Sequence, residues 1–223
     1  MKRSLGLLLL VGTLAPGTAV AETDLIGGAT FLTGAPQGAF DAVVGHGYGL
    51  EGHALVTPPS SPFGLRIQGS FLVYGHERTV IPFSGTRGRV GLDLTTDNWI
   101  GSLVLGPQLV ARSGPVRPYV YGVGGLSYFA TTSEVRSEDA FYAFARSTNF
   151  DDVTFRWSVG GGVNIPVSRT VALDLGVAYV SNDRVSYLAE GDILDDGSGG
   201  AIFTPRRSEA NLVQFTIGVS GGW

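Results

Sequence analysis

The sequence predicts an all-β fold: an eight-stranded antiparallel up-and-down transmembrane barrel, with short turns at one end and long loops at the other. Three observations carry this. Strand-like alternation of apolar and polar residues recurs along the chain. Glycine is abundant, at 34 residues, beside an apolar content of 43%; a helical chain would be poorer in glycine and a disordered one less apolar. No segment beyond the N-terminal stretch is a continuous apolar run of the ~18 residues a spanning helix requires.

The N-terminal stretch reads as an export signal. Lys2 and Arg3 precede an apolar run from Leu5 to Leu14, and Ala19-Val20-Ala21 offers a small-x-small cleavage site. The run is about half the length of a spanning helix. The expected organisation is a signal peptide over 1–21 and one barrel domain over 22–223, exported through the general secretory route to a bacterial outer membrane. Losing Lys2 and Arg3 leaves 13 of the 15 basic residues against 19 acidic ones, so the net charge moves from −4 to −6. That balance excludes a nucleic-acid partner. The chain has no cysteine, which excludes disulfides, thiolate metal sites and a cysteine nucleophile together.

Alternation is cleanest at the C-terminus, where Val213, Phe215, Ile217, Val219 and Trp223 alternate with Gln214, Thr216, Gly218, Ser220 and Gly222. It recurs in Phe155, Trp157 and Val159 against Arg156, Ser158 and Gly160, and in Val171, Leu173, Leu175, Val177 and Tyr179 against Ala172, Asp174, Gly176 and Ala178. Upstream, Phe63, Leu65, Ile67, Phe71 and Val73 alternate with Arg66, Gln68 and Ser70, and Tyr48, Leu50, Ala54 and Val56 with Gly49, Glu51 and His53. Trp99, Leu103, Leu105 and Leu109 oppose Ser102, Gly106 and Gln108; Tyr119, Tyr121 and Val123 oppose Gly122 and Gly124. A weaker strand near Leu25 to Thr33 brings the count to eight.

Short connections fall at Pro58 to Pro62, Ser113 to Pro115 and Pro166 to Arg169, and long ones near Thr33 to Ala42, Val80 to Asn98, Thr131 to Asp152 and Val185 to Ser208. Short turns and both termini at one end is the plan of an outer-membrane barrel. A soluble lipocalin-like barrel has a similar strand count, but it buries its apolar face. Here one face carries Gly, Ser, Gln, Arg, Glu and Asp, too polar for a soluble core, and the other carries the aliphatics and aromatics that suit lipid. Tyr48, Trp99, Tyr119, Tyr179 and Trp223 stand where an interfacial aromatic girdle is expected.

These residues resemble the OmpA-like and OmpX-like eight-stranded outer-membrane barrels. The resemblance rests on Arg117-Pro118-Tyr119-Val120-Tyr121-Gly122-Val123-Gly124 after a turn, on the alternating pair from Phe155 to Tyr179, and on a last strand ending in an aromatic. It implies that Phe215, Ile217, Val219 and Trp223 form the signal read by the barrel-assembly machinery. The chain departs from the family at Gly221, where an aromatic is common, and at Trp223, where phenylalanine is commoner.

Chemistry-bearing residues are few. Of His46, His53 and His76, only His76 has an adjacent acid, Glu77, and no His-x-Ser arrangement exists. The histidines read as solvent-exposed or lumenal. Glu190, Asp192, Asp195 and Asp196 lack EF-hand spacing and read as a solvated loop; no metal or cofactor is expected. Glycine runs such as Gly160-Gly161-Gly162 read as strand glycines that make room in a narrow lumen. Glu51, Arg66, Asp174 and Arg156, on the inward faces, are expected to pair across a lumen only wide enough for side chains. Centring the first turn between Pro59 and Ser60 sets Glu51 opposite Gln68 and His53 opposite Arg66, leaving Glu51 and Arg66 as diagonal neighbours; Asp174, on the seventh strand, has Gly160 and Gly162 as its expected hairpin neighbours. The expected role is a non-enzymatic outer-membrane protein, a monomer in contact with membrane lipid and lipopolysaccharide, that stabilises the envelope or presents its loops. The alternatives are a lipid-modifying enzyme, of lipid A deacylase or acyltransferase type, and a small gated pore.

Overall fold

A computed structural model describes residues 23–82, 91–137, 145–188, 192–195 and 201–222. The proposed signal peptide, Trp223 and most of the acidic stretch after Leu188 lie outside them.

The wall is built by β1 (Asp24–Gln37), β2 (Gly47–Thr57), β3 (Phe63–Pro82), β4 (Gly91–Val110), β5 (Arg117–Ser137), β6 (Ala145–Pro166), β7 (Val171–Asn182) and, after four short strands, β12 (Asn211–Gly221). Each pairs antiparallel with its sequence neighbour, and β12 pairs with β1 from Gly27↔Gly221 to Gln37↔Asn211, closing an eight-stranded barrel. Closure removes every open edge, so the backbone polar groups of the wall are paired within the protein, as hydrocarbon surroundings demand.

The outward face is apolar along its whole circumference. Leu50, Ile67, Leu103, Leu105, Val120, Leu126, Val153, Val159, Val177, Phe215, Ile217 and Val219 each expose more than two-fifths of their surface. In water so large an apolar belt would drive aggregation; in a bilayer it is the surface that meets lipid. Aromatic side chains gather at the loop end of this belt, with Phe71, Trp99 and Tyr128 in successive contact, Trp157 against Tyr179, and Phe31 against Tyr48. Tyr119 is not among them. It is 5% exposed and points into the lumen, with Tyr121 beside it. On β5 the apolar–small alternation is inverted: the rings go inward and Gly122 and Gly124 outward, because the glycines of β6 and β7 leave the lumen space there.

Three further expectations change. Strands β3 to β6 run well beyond the belt, so much of 80–98 and 131–152 is paired strand instead of loop. Outside the bilayer a strand needs no apolar face, so its pairing continues after its periodicity has vanished. Within 185–208, likewise, β8 (Arg184–Tyr187) pairs with β11 (Arg206–Glu209), and β9 (Ile193–Asp195) with β10 (Ala201–Phe203). The β2–β3 register is Glu51↔Ser70 and His53↔Gln68, two residues along β3 from the expected partners, because the turn is centred one residue later, between Ser60 and Ser61, with Ser60 in the left-handed conformation at φ 60°. The β6–β7 register likewise sets Asn164 beside Asp174 and Gly162 beside Gly176.

Candidate functional site

The lumen is stratified. At the short-turn end Ile26, Leu55, Val110 and Tyr119 pack together. At the loop end Leu32, Leu72, Ile100, Phe129, Val180 and Leu212 from the wall meet Phe40 from the β1–β2 connection and Tyr187 of β8. Phe40 is fully buried, edge-on to Tyr187 at 5.0 Å and tilted against Tyr74 at 5.5 Å. The inward charges therefore lie in the middle third, between two apolar clusters, while the polar side chains buried nearer the ends, Asn164 and Ser220 at one and Asn98 and Asn182 at the other, are neutral. Alternation cannot show this, because it assigns a side chain to a face and says nothing of its height along the axis.

The middle third holds all four lumenal residues singled out above. Arg66 is 2% exposed and uses each of its three nitrogens: Nε donates to Gln68 Oε1 at 2.8 Å, Nη1 to Gln108 Oε1 at 3.0 Å and Nη2 to Glu51 Oε1 at 3.0 Å. Gln68 Nε2 donates to the other Glu51 oxygen at 2.9 Å, so the carboxylate is held on both sides. The guanidinium lies 4.5 Å from the centre of the Tyr121 ring, a cation–π contact that covers one of its faces.

Asp174 does not join this ion pair. Its Oδ1 accepts from the Tyr119 hydroxyl at 2.7 Å, and its Oδ2 lies 3.6 Å from His53 Nε2. Arg156, 1% exposed, meets no carboxylate within ion-pair distance among the described residues. Its Nη1 donates to Ser102 Oγ at 2.7 Å and Ser70 Oγ at 3.4 Å, and its Nη2 to Gln214 Oε1 at 3.2 Å. A cation solvated by neutral oxygens in this way replaces water without a counter-charge. Gln68, which the sequence reading set opposite Glu51, and Gln108, Gln214, Ser70 and Ser102, which it did not assign to the charges, share their inward parity; that parity was the available signal.

Glycines set the shape of this layer. A Cβ at Gly160 would stand 2.7 Å from the Tyr121 hydroxyl, and one at Gly162 would stand 2.6 Å from that of Tyr119. At Gly28 it would fall 2.4 Å from the His53 ring. The room they leave is occupied by rings.

The proposed assembly residues Phe215, Ile217 and Val219 lie together on the outer face of β12, each about half exposed. In the acidic stretch, Asp192 receives Arg206 Nε at 2.8 Å, which engages its carboxylate with a cation of the protein. His76, on β3, meets Asp97 of β4 with Nδ1 2.6 Å from Oδ1 on the outside of the barrel.

No protein-family model matches the chain, and no curated protein sequence matches it. Among solved structures, the chain is similar to Neisserial surface protein A, at 12% identity and a TM-score of 0.47, covering 91% of this chain and 99% of that one. It is also similar to Ail, the attachment invasion locus protein of Yersinia pestis, at 11% identity and a TM-score of 0.38 over 89% and 96% of the two chains. The outer membrane protein OprG of Pseudomonas aeruginosa is similar at 12% identity and a TM-score of 0.41, over 89% and 94%.

Proposed function

We propose that the chain is a bacterial outer-membrane barrel that conducts nothing through its wall, catalyses no reaction in its lumen, and acts by stabilising the envelope and presenting its loop end outside the cell. The observation that carries this reading is the packed lumen. Three successive layers, apolar, charged and apolar, are each occupied by buried side chains. A transport path would need a continuous run of water past Arg66 and Arg156, and a lumenal active site would need room for a substrate; the packing favours neither. The barrel-assembly machinery is the partner proposed for β12.

An epitope inserted in the 83–90 connection, between β3 and β4, tests the orientation. Intact cells should bind the antibody, whereas an epitope at 58–62 should be reached only after permeabilisation; the reverse pattern would refute the reading. Lipid A from cells with and without the protein should have the same mass spectrum, and a lost or added acyl chain would favour the enzyme.

A further inference from the structure

The outer wall carries a second built feature at its loop end. Along β3 the even-numbered residues Arg66, Gln68, Leu72 and Tyr74 are all buried in the lumen. The pairing with β4 then shifts between Val73 and Gly75, and this bulge reverses the alternation. His76, which unbroken alternation would aim inward, lies outside instead, directly opposite Asp97. Both stay open to their surroundings, with 65% and 42% of their side-chain area exposed. They border a groove of about 880 Å³ that is also lined by Tyr48, Phe71 and Trp99 of the wall and by His46 from the β1–β2 connection.

We propose that this groove binds the sugar headgroup of an outer-leaflet glycolipid, whose ring stacks on the aromatic side chains and whose hydroxyls hydrogen-bond with His76 and Asp97. The inference rests on the outer-membrane placement proposed above. An ionised carboxylate can only accept, so the proton of the short His76–Asp97 contact sits on Nδ1. Nε2 on the far edge of the ring and the second oxygen of Asp97 then remain to meet a ligand. A ring nitrogen beside a carboxylate oxygen suits sugar hydroxyls, each of which can both donate and accept. The pair disfavours a phosphate, whose charge the carboxylate repels.

The aromatic side chains are pre-organised. Trp99 lies 5.2 Å from Phe71 and 5.3 Å from Tyr128 between ring centres, and its Nε1 donates to Thr132 Oγ1 at 3.3 Å. A fixed ring loses little freedom when the C–H face of a sugar packs on it. Toward the membrane centre β4 continues with Leu103 and Leu105, 66% and 59% exposed, so acyl chains attached to the sugar run on into the apolar belt. A free saccharide would make none of that contact, which is why the occupant is a glycolipid.

The test uses Trp99 as its own reporter. Trp157→Phe with Trp223→Phe leaves Trp99 as the sole tryptophan of the three. In bilayers containing bromine-labelled glucosyl diacylglycerol, phosphatidylcholine or phosphatidylglycerol, the glucosyl lipid should quench Trp99 with about threefold or greater preference, the scale of one or two net hydrogen bonds. The preference should fall to parity in His76→Leu and in Asp97→Leu; each removes one hydrogen-bonding partner, so either variant that inserts decides the matter. Equal quenching by all three lipids, a preference for phosphatidylglycerol, a preference that survives the leucine variants, or competition by free methyl glucoside would overturn the proposal. A Trp157-only protein is the control, quenched alike by the three lipids. If none quenched it, the membrane placement would be at fault and not the groove.

Discussion

The hydroxyl of Tyr119 on β5 donates to Asp174 on β7 across the intervening β6, at 2.7 Å, through space that Gly162 and Gly176 leave open. A methyl group at Gly162 would lie 2.1 Å from the Leu175 carbonyl oxygen and 2.6 Å from the Tyr119 hydroxyl. Gly162→Ala should therefore cost about 1 to 3 kcal/mol in urea unfolding from lipid vesicles, as overpacking usually does. Gly122→Ala, where a Cβ meets nothing within 4 Å, should stay within about 0.5 kcal/mol of the parent. Equal midpoints would show that the ring does not fill that space.

Arg112 ties together three parts of the short-turn end. Its Nη1 donates to Thr57 Oγ1 at 2.8 Å and to the Ser61 carbonyl at 3.1 Å, and its Nη2 to Asp24 at the start of β1. Arg112→Ala should lower stability by about 1 to 3 kcal/mol, and Arg112→Lys should recover little, because a single ammonium cannot span the fork. Full rescue by lysine in the same unfolding assay would reduce the clamp to a point charge.

The two faces of the wall differ sharply in what they tolerate. Leu103→Arg places a charge in hydrocarbon at a side chain 66% exposed and should cost about 2 to 4 kcal/mol. Ser158→Ala, on the inner face, removes a buried hydroxyl with no hydrogen-bond partner among the described residues and should change little. Comparable losses for both would mean that the faces are reversed.

Much of the wall was legible in the sequence because a membrane imposes alternation on every strand it touches. Leu103, Phe155 and Phe215 announce their direction by their neighbours. Height along the axis, register and strand length were not legible. Asp174 and Arg66 share a face, yet Asp174 is held by Tyr119, whose own direction was misread because its strand carries glycine outward. The strands beyond the bilayer, such as Thr96 to Asn98, pair without any apolar pattern to betray them. His76 points outward only because of a bulge, a one-residue shift that composition cannot announce.

Assembly should depend on β12 more than on the loop end. Deleting Trp223 should slow insertion in cells, and shortening 192–200 should leave insertion intact. Pulse-labelling with conversion to the compact, unboiled gel form measures both; insertion lost only on shortening 192–200 would contradict the proposed signal.

The most direct test of the account is single-channel recording in planar bilayers on the parent and on Arg66→Ala. Arg66 fills its lumenal layer and neutralises Glu51 at 3.0 Å, so the parent should show no steady conductance. Removing one partner of a buried pair typically costs about 3 to 5 kcal/mol. Arg66→Ala should therefore open ion-conducting steps or unfold at distinctly lower urea. Steady conductance in the parent, or a variant with conductance and stability both unchanged, would contradict the sealed lumen.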